Sequence, residues 1–186
     1  MSTQQGTGSR RLLFAIALAS GITSVPSAAI VLALPVIHRQ FDASLTSLEW
    51  TVTGYLLAYS ALMIAAGRLA DIFGRIRLLK FGTLLYIGAS IPAALAPNST
   101  VLILSLVAVG VGAAVLTPAS LAIVTDSFRG SRRGMAVGVW GGASALFSGI
   151  APAIGGILTE EASWRWILWF NVIVGVLILI GMRRAA

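Results

Sequence analysis

The chain has 186 residues, of which 58% are hydrophobic and only 10% are charged, and its formal net charge is +7. A soluble domain carries about 25% charged residues, so this composition excludes a chain that covers its whole surface with polar groups. The absence of cysteine excludes a disulfide framework and a thiolate metal site. We therefore expect an integral membrane protein that partners with the lipid bilayer.

Charge-free stretches long enough to cross a bilayer occur repeatedly along the chain. A membrane helix needs about 20 apolar residues to span ~30 Å of hydrocarbon. The uncharged run 81–125 is too long for one crossing, and the turn signal APNST at 96–100 divides it. The sequence thus predicts an all-α, polytopic bundle over 11–184. Its six predicted spans lie near 12–37, 50–68, 78–96, 101–124, 135–158 and 165–182.

The segment before the first span is polar and rich in glycine and serine, which predicts a disordered cytoplasmic tail over 1–10. Arg10 and Arg11 followed by an apolar run also resemble the start of a signal peptide. The run is about 26 residues long, whereas the apolar core of a signal peptide has about 7–15. We therefore interpret it as a retained membrane helix.

Basic residues are distributed unevenly between the two sides of the predicted bundle. If the N-terminus is cytoplasmic, only Arg39 and Arg165 of the 13 lysines and arginines lie outside. The positive-inside rule therefore predicts a multi-pass protein of the inner cell membrane with both termini cytoplasmic. The net charge is then a topology signal, so we expect no nucleic-acid partner.

Hydroxyl side chains recur at helical spacing on the first, second and fifth spans. Two interpretations stay open: each hydroxyl bonds a carbonyl of its own or a neighbouring helix, or the group lines a water-filled cavity. The candidate cavity residues are Ser20, Thr23, Ser24, Ser27, Tyr55, Tyr59, Ser144 and Ser148.

Glycines in the fifth span recur every fourth residue, at Gly134, Gly138 and Gly142. This GxxxG spacing lets helix backbones approach closely, so we expect span five to pack tightly against a neighbour, through a static or a sliding interface. Prolines also lie in or at the edges of spans, which membrane helices tolerate where neighbours or water bind the freed backbone groups. They are Pro26, Pro35, Pro92, Pro118 and Pro152.

Residue types that carry catalysis are sparse. His38 is the only histidine, and no carboxylate cluster or glycine-rich phosphate loop accompanies it. We therefore expect no enzymatic activity, no metal site and no cofactor.

The charged connection between spans two and three, GRLADIFGRIR, resembles the signature loop of the major facilitator superfamily, G-x-L-a-D-r-x-G-r-[KR]. The matching residues are Gly67, Asp71, Gly74, Arg75 and Arg77. The stretches EWTVTGYLLAY, VGVGAAVLTPASLAIV and APAIGGILTEEASWRWILWFNV resemble its 14-helix drug–proton antiporter branch. In the last stretch, the residues that match the helix-five antiporter motif are Pro152, Gly155 and Gly156.

This resemblance implies the N-terminal six-helix half of a multidrug exporter, a transporter that moves small amphipathic or drug-like molecules by alternating access. It also implies a cytoplasmic gate near Asp71 and a second six-helix half as partner, supplied by a separate chain or by self-pairing. Pro26 stands where the branch usually has an acid, and no acid lies deep in any span, so proton coupling stays open. The alternatives are a truncated, non-transporting fragment and a membrane assembly or regulatory subunit.

Overall fold

The computed structural model describes residues 3–182, with the side chains of residues 12–182 apart from that of Leu45. Over that range the chain forms helices joined by short connections, which confirms the predicted all-α fold class. The helices are α1 Thr3–Ile22, α2 Val25–Phe41, α3 Leu45–Phe73, α4 Arg75–Ala94, α5 Ser99–Ser127, α6 Ser131–Glu161 and α7 Arg165–Met182.

The N-terminal segment differs from the expectation of a disordered tail over 1–10, because α1 already begins at Thr3. Extending an existing helix costs far less than nucleating one, and no proline interrupts this segment. Residues 1–2 lie outside the described residues. So do Arg183 and Arg184, for which the sequence predicts a cytoplasmic position.

Five helical segments have the length and hydropathy of membrane crossings: Leu12–Phe41, Thr46–Phe73, Ser99–Ser127, Ser131–Glu161 and Arg165–Met182. The first comprises most of α1 together with α2. Helix α4 is the sixth member of the bundle, and it begins with three cations within its first six residues, which lower its hydropathy. The described residues thus form an all-helical bundle with five membrane-length apolar segments and α4, and the predicted bounds of the six spans stay a prediction.

The first predicted span is not one continuous helix. It breaks at Thr23 and Ser24, between Ile22 and Val25. Pro26 explains the break, because its ring nitrogen has no hydrogen to donate to the carbonyl four residues earlier. The polar stripe of the first span therefore runs across a break in the backbone.

Helix α5 is the centre of the bundle and packs between α3 and α4. Glycines allow this closeness. A Cβ built on Gly110 would lie 2.5 Å from the Tyr55 carbonyl oxygen of α3, and one on Gly112 would lie 2.8 Å from the Tyr86 nitrogen of α4. Any larger side chain at either position would push the helices apart.

The expectation of tight packing along the glycine run of span five is wrong within this bundle. A Cβ built on Gly134, Gly138 or Gly142 of α6 would have no described atom within 4 Å. The close contact of α6 lies elsewhere: a Cβ on Gly155 would sit 2.7 Å from the Ala29 carbonyl oxygen of α2. GxxxG spacing identifies a face that can pack closely, but it does not identify the neighbour.

Candidate functional site

A cavity of about 320 Å³ lies between α1, α2, α3, α5 and α6. It brings together all the hydroxyl residues singled out in the sequence and adds four more residues. The wall consists of Ser20, Thr23, Ser24, Ser27, Ala28, Tyr55, Leu56, Tyr59, Thr117, Trp140, Ser144 and Ser148. None of these side chains is a carboxylate, an imidazole or a cation.

The polar stripe of the first span supplies one wall of the cavity. Thr23 Oγ1 donates to the Ser20 carbonyl (2.9 Å), and Ser27 Oγ donates to the Ser24 carbonyl (3.2 Å). Ser20 Oγ instead reaches across to the Trp140 carbonyl of α6 (2.9 Å). These hydroxyls bond carbonyls and also lie on the cavity wall, and a water-filled cavity that serves a function stays a prediction.

Two tyrosines of α3 form the opposite wall. The rings of Tyr55 and Tyr59 are stacked, with centroids 6.2 Å apart and planes 6° from parallel. Tyr59 donates its hydroxyl to Thr117 Oγ1 of α5 at 3.1 Å, and Tyr55 donates to the Thr23 carbonyl at the break in the first span. The wall thus presents aromatic faces whose polar ends are held by neighbouring helices.

Of the four wall residues that the sequence interpretation missed, Trp140 and Thr117 carry hydrogen-bonding side chains. Trp140 lies four and eight residues before Ser144 and Ser148, so the same helical spacing that identified the serines would have included it. Its indole Nε1 donates to Ser120 Oγ of α5 at 3.0 Å. Thr117 gave a weaker signal, because it is one of only three hydroxyl residues in the apolar span four, with Ser105 and Ser120.

The chemistry that this cavity can perform is binding. Hydroxyls that donate to carbonyls still offer their oxygen lone pairs to a ligand, and the tyrosines offer ring faces. Among the lining residues no base stands beside a hydroxyl to activate it as a nucleophile. The arrangement suits a ligand that is partly apolar and partly hydrogen-bonding.

A second, more open cavity of about 660 Å³ surrounds the signature loop. Arg75 donates to Asp71 Oδ1 (3.1 Å) and to the Ala122 carbonyl of α5 (2.9 Å), and it also forms an ion pair with Asp126. Asp126, followed by Asp71, raises the pKa of the Arg75 guanidinium, because both carboxylates stabilise its charge. Asp126 is a residue of this group that the sequence interpretation missed.

The turn of this loop depends on Gly74, which has a φ of +91°. Glycine adopts this conformation without the steric penalty of a Cβ, so α3 can end and α4 can begin one residue apart. Arg77 also lines the open cavity. Gly67 lies about two turns before Gly74, where an added Cβ would lie 3.8 Å from Pro118 Cβ.

The helix-five motif lies apart from both cavities. Gly155 packs on Ala29 of α2, a Cβ on Gly156 would lie 3.9 Å from Leu32 Cδ1, and Pro152 is exposed. Within this motif, Gly155 is therefore the residue that packs α6 closely against α2. The structure does not bring the motif to the cavity wall.

Comparison with known proteins also indicates a membrane transporter. The family model of the Major Facilitator Superfamily matches residues 12–184. The puromycin resistance protein pur8 of Streptomyces alboniger is 37% identical over 96% of this chain and 36% of its own length. The multidrug resistance protein Stp of Mycobacterium tuberculosis is 33% identical over 91% of this chain and 32% of its own length.

Among solved structures, a bacterial homolog of the human lysosomal transporter Spinster, in an inward-facing and unoccupied conformation, matches with a TM-score of 0.77. The identity is 21%, and the match covers 94% of this chain and 42% of that one, so it supports the fold. The chain spans about a third of the length of the curated relatives, 36% and 32% for the two named above.

Proposed function

Because the chain belongs to the major facilitator superfamily, we propose that it is the N-terminal six-helix half of a drug exporter in the inner cell membrane. Both termini lie in the cytoplasm, and the bundle takes part in the efflux of small molecules by alternating access. The observation that carries this proposal is the hydroxyl-lined, uncharged cavity, whose wall combines stripes from three separate spans.

The substrates are small amphipathic molecules. A volume of about 320 Å³ falls at the lower end of the range of ligand pockets, roughly 300–1,000 Å³. Stacked tyrosines bind an apolar or aromatic portion, and serine and threonine oxygens bind hydrogen-bond donors. Since the wall contains no carboxylate, this half of the site takes up no proton, and any coupling to protons resides outside it.

A second six-helix half covers the faces of α3 and α6. Only 11% of the membrane-crossing window of each of these helices is buried, against 61% for α5. The glycine run of α6 is exposed on this surface and offers a smooth face for another helix. A separate bundle is favoured over self-pairing, because the two halves of the family are not interchangeable in sequence.

The ion pairs of the signature loop form the cytoplasmic gate. Arg75 joins α4 to Asp71 of α3 and to Asp126 of α5, so the three helix ends move as a unit. The side chain of Asp71 is 65% exposed, so its carboxylate is free to meet the positive N-terminal end of a helix from the second half.

The proposal is tested by accumulation of a fluorescent amphipathic dye in a bacterium that lacks its own efflux pumps. Expression of the chain together with its second half lowers dye accumulation, and Tyr59→Phe combined with Ser144→Ala weakens the effect. Ser60→Ala, at an exposed position outside the cavity wall, is the matched control.

Detergent-corrected mass measurement of the purified chain, followed by dye flux in vesicles, separates the alternatives. A monomer without flux supports a half that requires its partner. A monomer that transports dye by itself contradicts the two-bundle arrangement, and a complex that never binds dye points to an assembly role.

A further inference from the structure

The break in the first span leaves two backbone carbonyls without helical partners, those of Ile22 and Thr23. The backbone bonds recorded across the break, Ser24 N to Gly21 O (3.1 Å) and Ala28 N to Ser24 O (3.4 Å), use neither. Both carbonyls are instead bound by buried tyrosines. Tyr86 of α4 donates to Ile22 O at 3.0 Å, and Tyr55 of α3 donates to Thr23 O.

The two carbonyls differ in what else could bind them. In a continuous helix the Ile22 carbonyl would accept from residue 26, which is a proline and has no N–H. The Thr23 carbonyl would accept from residue 27, a serine, whose N–H is available. The bond from Tyr86 therefore has no backbone substitute, whereas the bond from Tyr55 competes with a helical one.

The two tyrosines also differ in whether they line the cavity. Tyr86 is 0% exposed and is not part of the cavity wall. Tyr55 is 2% exposed, lines the cavity beside Thr23 and stacks on Tyr59. A ligand in the cavity can therefore reach the bond from Tyr55 to the Thr23 carbonyl, which a helical bond can replace. It cannot reach the bond from Tyr86 to the Ile22 carbonyl, which no helical bond can replace.

We propose that Tyr86 is a fixed pivot of the first span and Tyr55 a releasable latch, so that the span has a bent state and a more helical one. In the bent state Tyr55 holds the Thr23 carbonyl out of the helix, and the polar stripe lines the cavity. When the hydrogen bond from Tyr55 breaks, Thr23 O accepts from Ser27 N–H, and the polar stripe of the first span turns relative to the cavity. Tyr55 is thus a positioning residue for the proposed binding site.

Amide hydrogen exchange on the full chain in nanodiscs tests the latch. In Tyr55→Phe, exchange at Ser27 becomes slower by roughly 5-fold or more, because a new hydrogen bond protects that amide. Tyr59→Phe leaves Ser27 unchanged, since the Tyr59 hydroxyl bonds Thr117 and does not touch the break. Faster exchange at Ser27 in Tyr55→Phe overturns the latch, because it would show that the tyrosine only supports the fold.

A double-mutant comparison tests the pivot. Tyr86→Phe lowers the melting temperature, and in a Pro26→Ala background the same substitution lowers it much less, because the alanine supplies the missing N–H to Ile22 O. Equal losses in both backgrounds overturn the pivot. If Tyr86→Phe alone does not fold, Pro26→Ala with both tyrosines intact replaces it. Protection of the new amide at position 26 from hydrogen exchange then reports whether that amide bonds the Ile22 carbonyl.

Cavity access gives a readout that loss of stability alone does not produce. The chain has no cysteine, so Ser24→Cys introduces a single thiol in the cavity wall. Adding Tyr55→Phe to it slows maleimide labelling as the stripe turns away, and an increased labelling rate contradicts the proposal. These measurements require no transport, so their failure is distinct from failure of the proposed function.

Discussion

Trp164 donates its indole N–H to the side-chain oxygen of Gln40 at 2.8 Å, which joins the loop before α7 to the end of α2. The next residue, Arg165, lies 4.6 Å above the Trp164 ring and donates to the carbonyls of Ala94 (2.7 Å) and Ala96 (3.0 Å). These carbonyls lie at and just beyond the C-terminal end of α4, where a cation is favoured. Two neighbouring residues thus tie α2, α4 and α7 together at one end of the bundle.

We expect Arg165→Gln to lower the free energy of unfolding by about 1–3 kcal/mol, the cost of leaving buried carbonyls without a partner. Arg165→Lys recovers part of this, because an ammonium provides charge but cannot fork to two carbonyls. Thermal unfolding in detergent measures the effect, with Arg129→Gln at an exposed site as control. Equal melting temperatures for the two glutamine variants would contradict the assigned role.

Substitution of the two asparagines at described positions should change the stability of the bundle in opposite directions. Asn171 of α7 is 0% exposed, and neither Nδ2 nor Oδ1 has a partner among the described residues. Asn171→Leu removes that penalty and is expected to stabilise the bundle by about 1 kcal/mol. Asn98 is exposed and accepts from Val101 N at 2.9 Å as the N-cap of α5.

Asn98→Ala is therefore expected to destabilise by about 1 kcal/mol. The sign of each shift in melting temperature is the measurement. A loss of stability in Asn171→Leu would show that the buried amide is bound by a water molecule or a partner helix.

Glycine positions separate packing within the bundle from packing against a partner. Gly155→Ala places a Cβ against the Ala29 backbone, so we expect a loss of about 1–3 kcal/mol from overpacking. Gly142→Ala is expected to be neutral in the isolated chain, since the space beside it is open. Size-exclusion profiles and melting curves of the two variants decide this, and a Gly142→Ala chain that unfolds as easily as Gly155→Ala would refute it.

These glycines also show what the sequence can and cannot predict. Helical spacing grouped Ser144 with Ser148, which line the same cavity, because residues four apart share a face whatever lies opposite. Spacing could not tell that Gly138 faces outward while Gly155 is buried, since that depends on which helix packs nearby. The pairing of Arg75 with Asp126 joins residues 51 positions apart along the chain, and only the fold reveals it.

The proposed topology has a direct test, because the chain contains no cysteine of its own. Thr100→Cys, at the start of α5, is expected to react with a membrane-impermeant maleimide in intact cells. Ser131→Cys, at the start of α6, is expected to react only after the membrane is made permeable. The reverse pattern would place both termini outside.

The charge arrangement at Arg75 predicts that Arg75 contributes more to stability than either of its two carboxylate partners. Both carboxylates are largely exposed, at 65% for Asp71 and 63% for Asp126, and an exposed pair contributes about 0.2–1 kcal/mol. Asp71→Asn or Asp126→Asn alone is therefore expected to change stability little. Arg75→Met is expected to cost more, because it leaves two carboxylates near each other and removes the donor to the Ala122 carbonyl.

High salt separates the two contributions to this loss. Screening weakens the repulsion between Asp71 and Asp126, so part of the destabilisation of Arg75→Met disappears in high salt. The part due to the lost hydrogen bond from Arg75 to the Ala122 carbonyl, which keeps its bond from Thr125 Oγ1 (3.0 Å), remains. Adding Asp126→Asn to Arg75→Met removes the repulsion altogether and should leave a melting temperature that is insensitive to salt. If Arg75→Met unfolds no earlier than Asp71→Asn, the three helix ends are held by packing alone, and Arg75 does not join them.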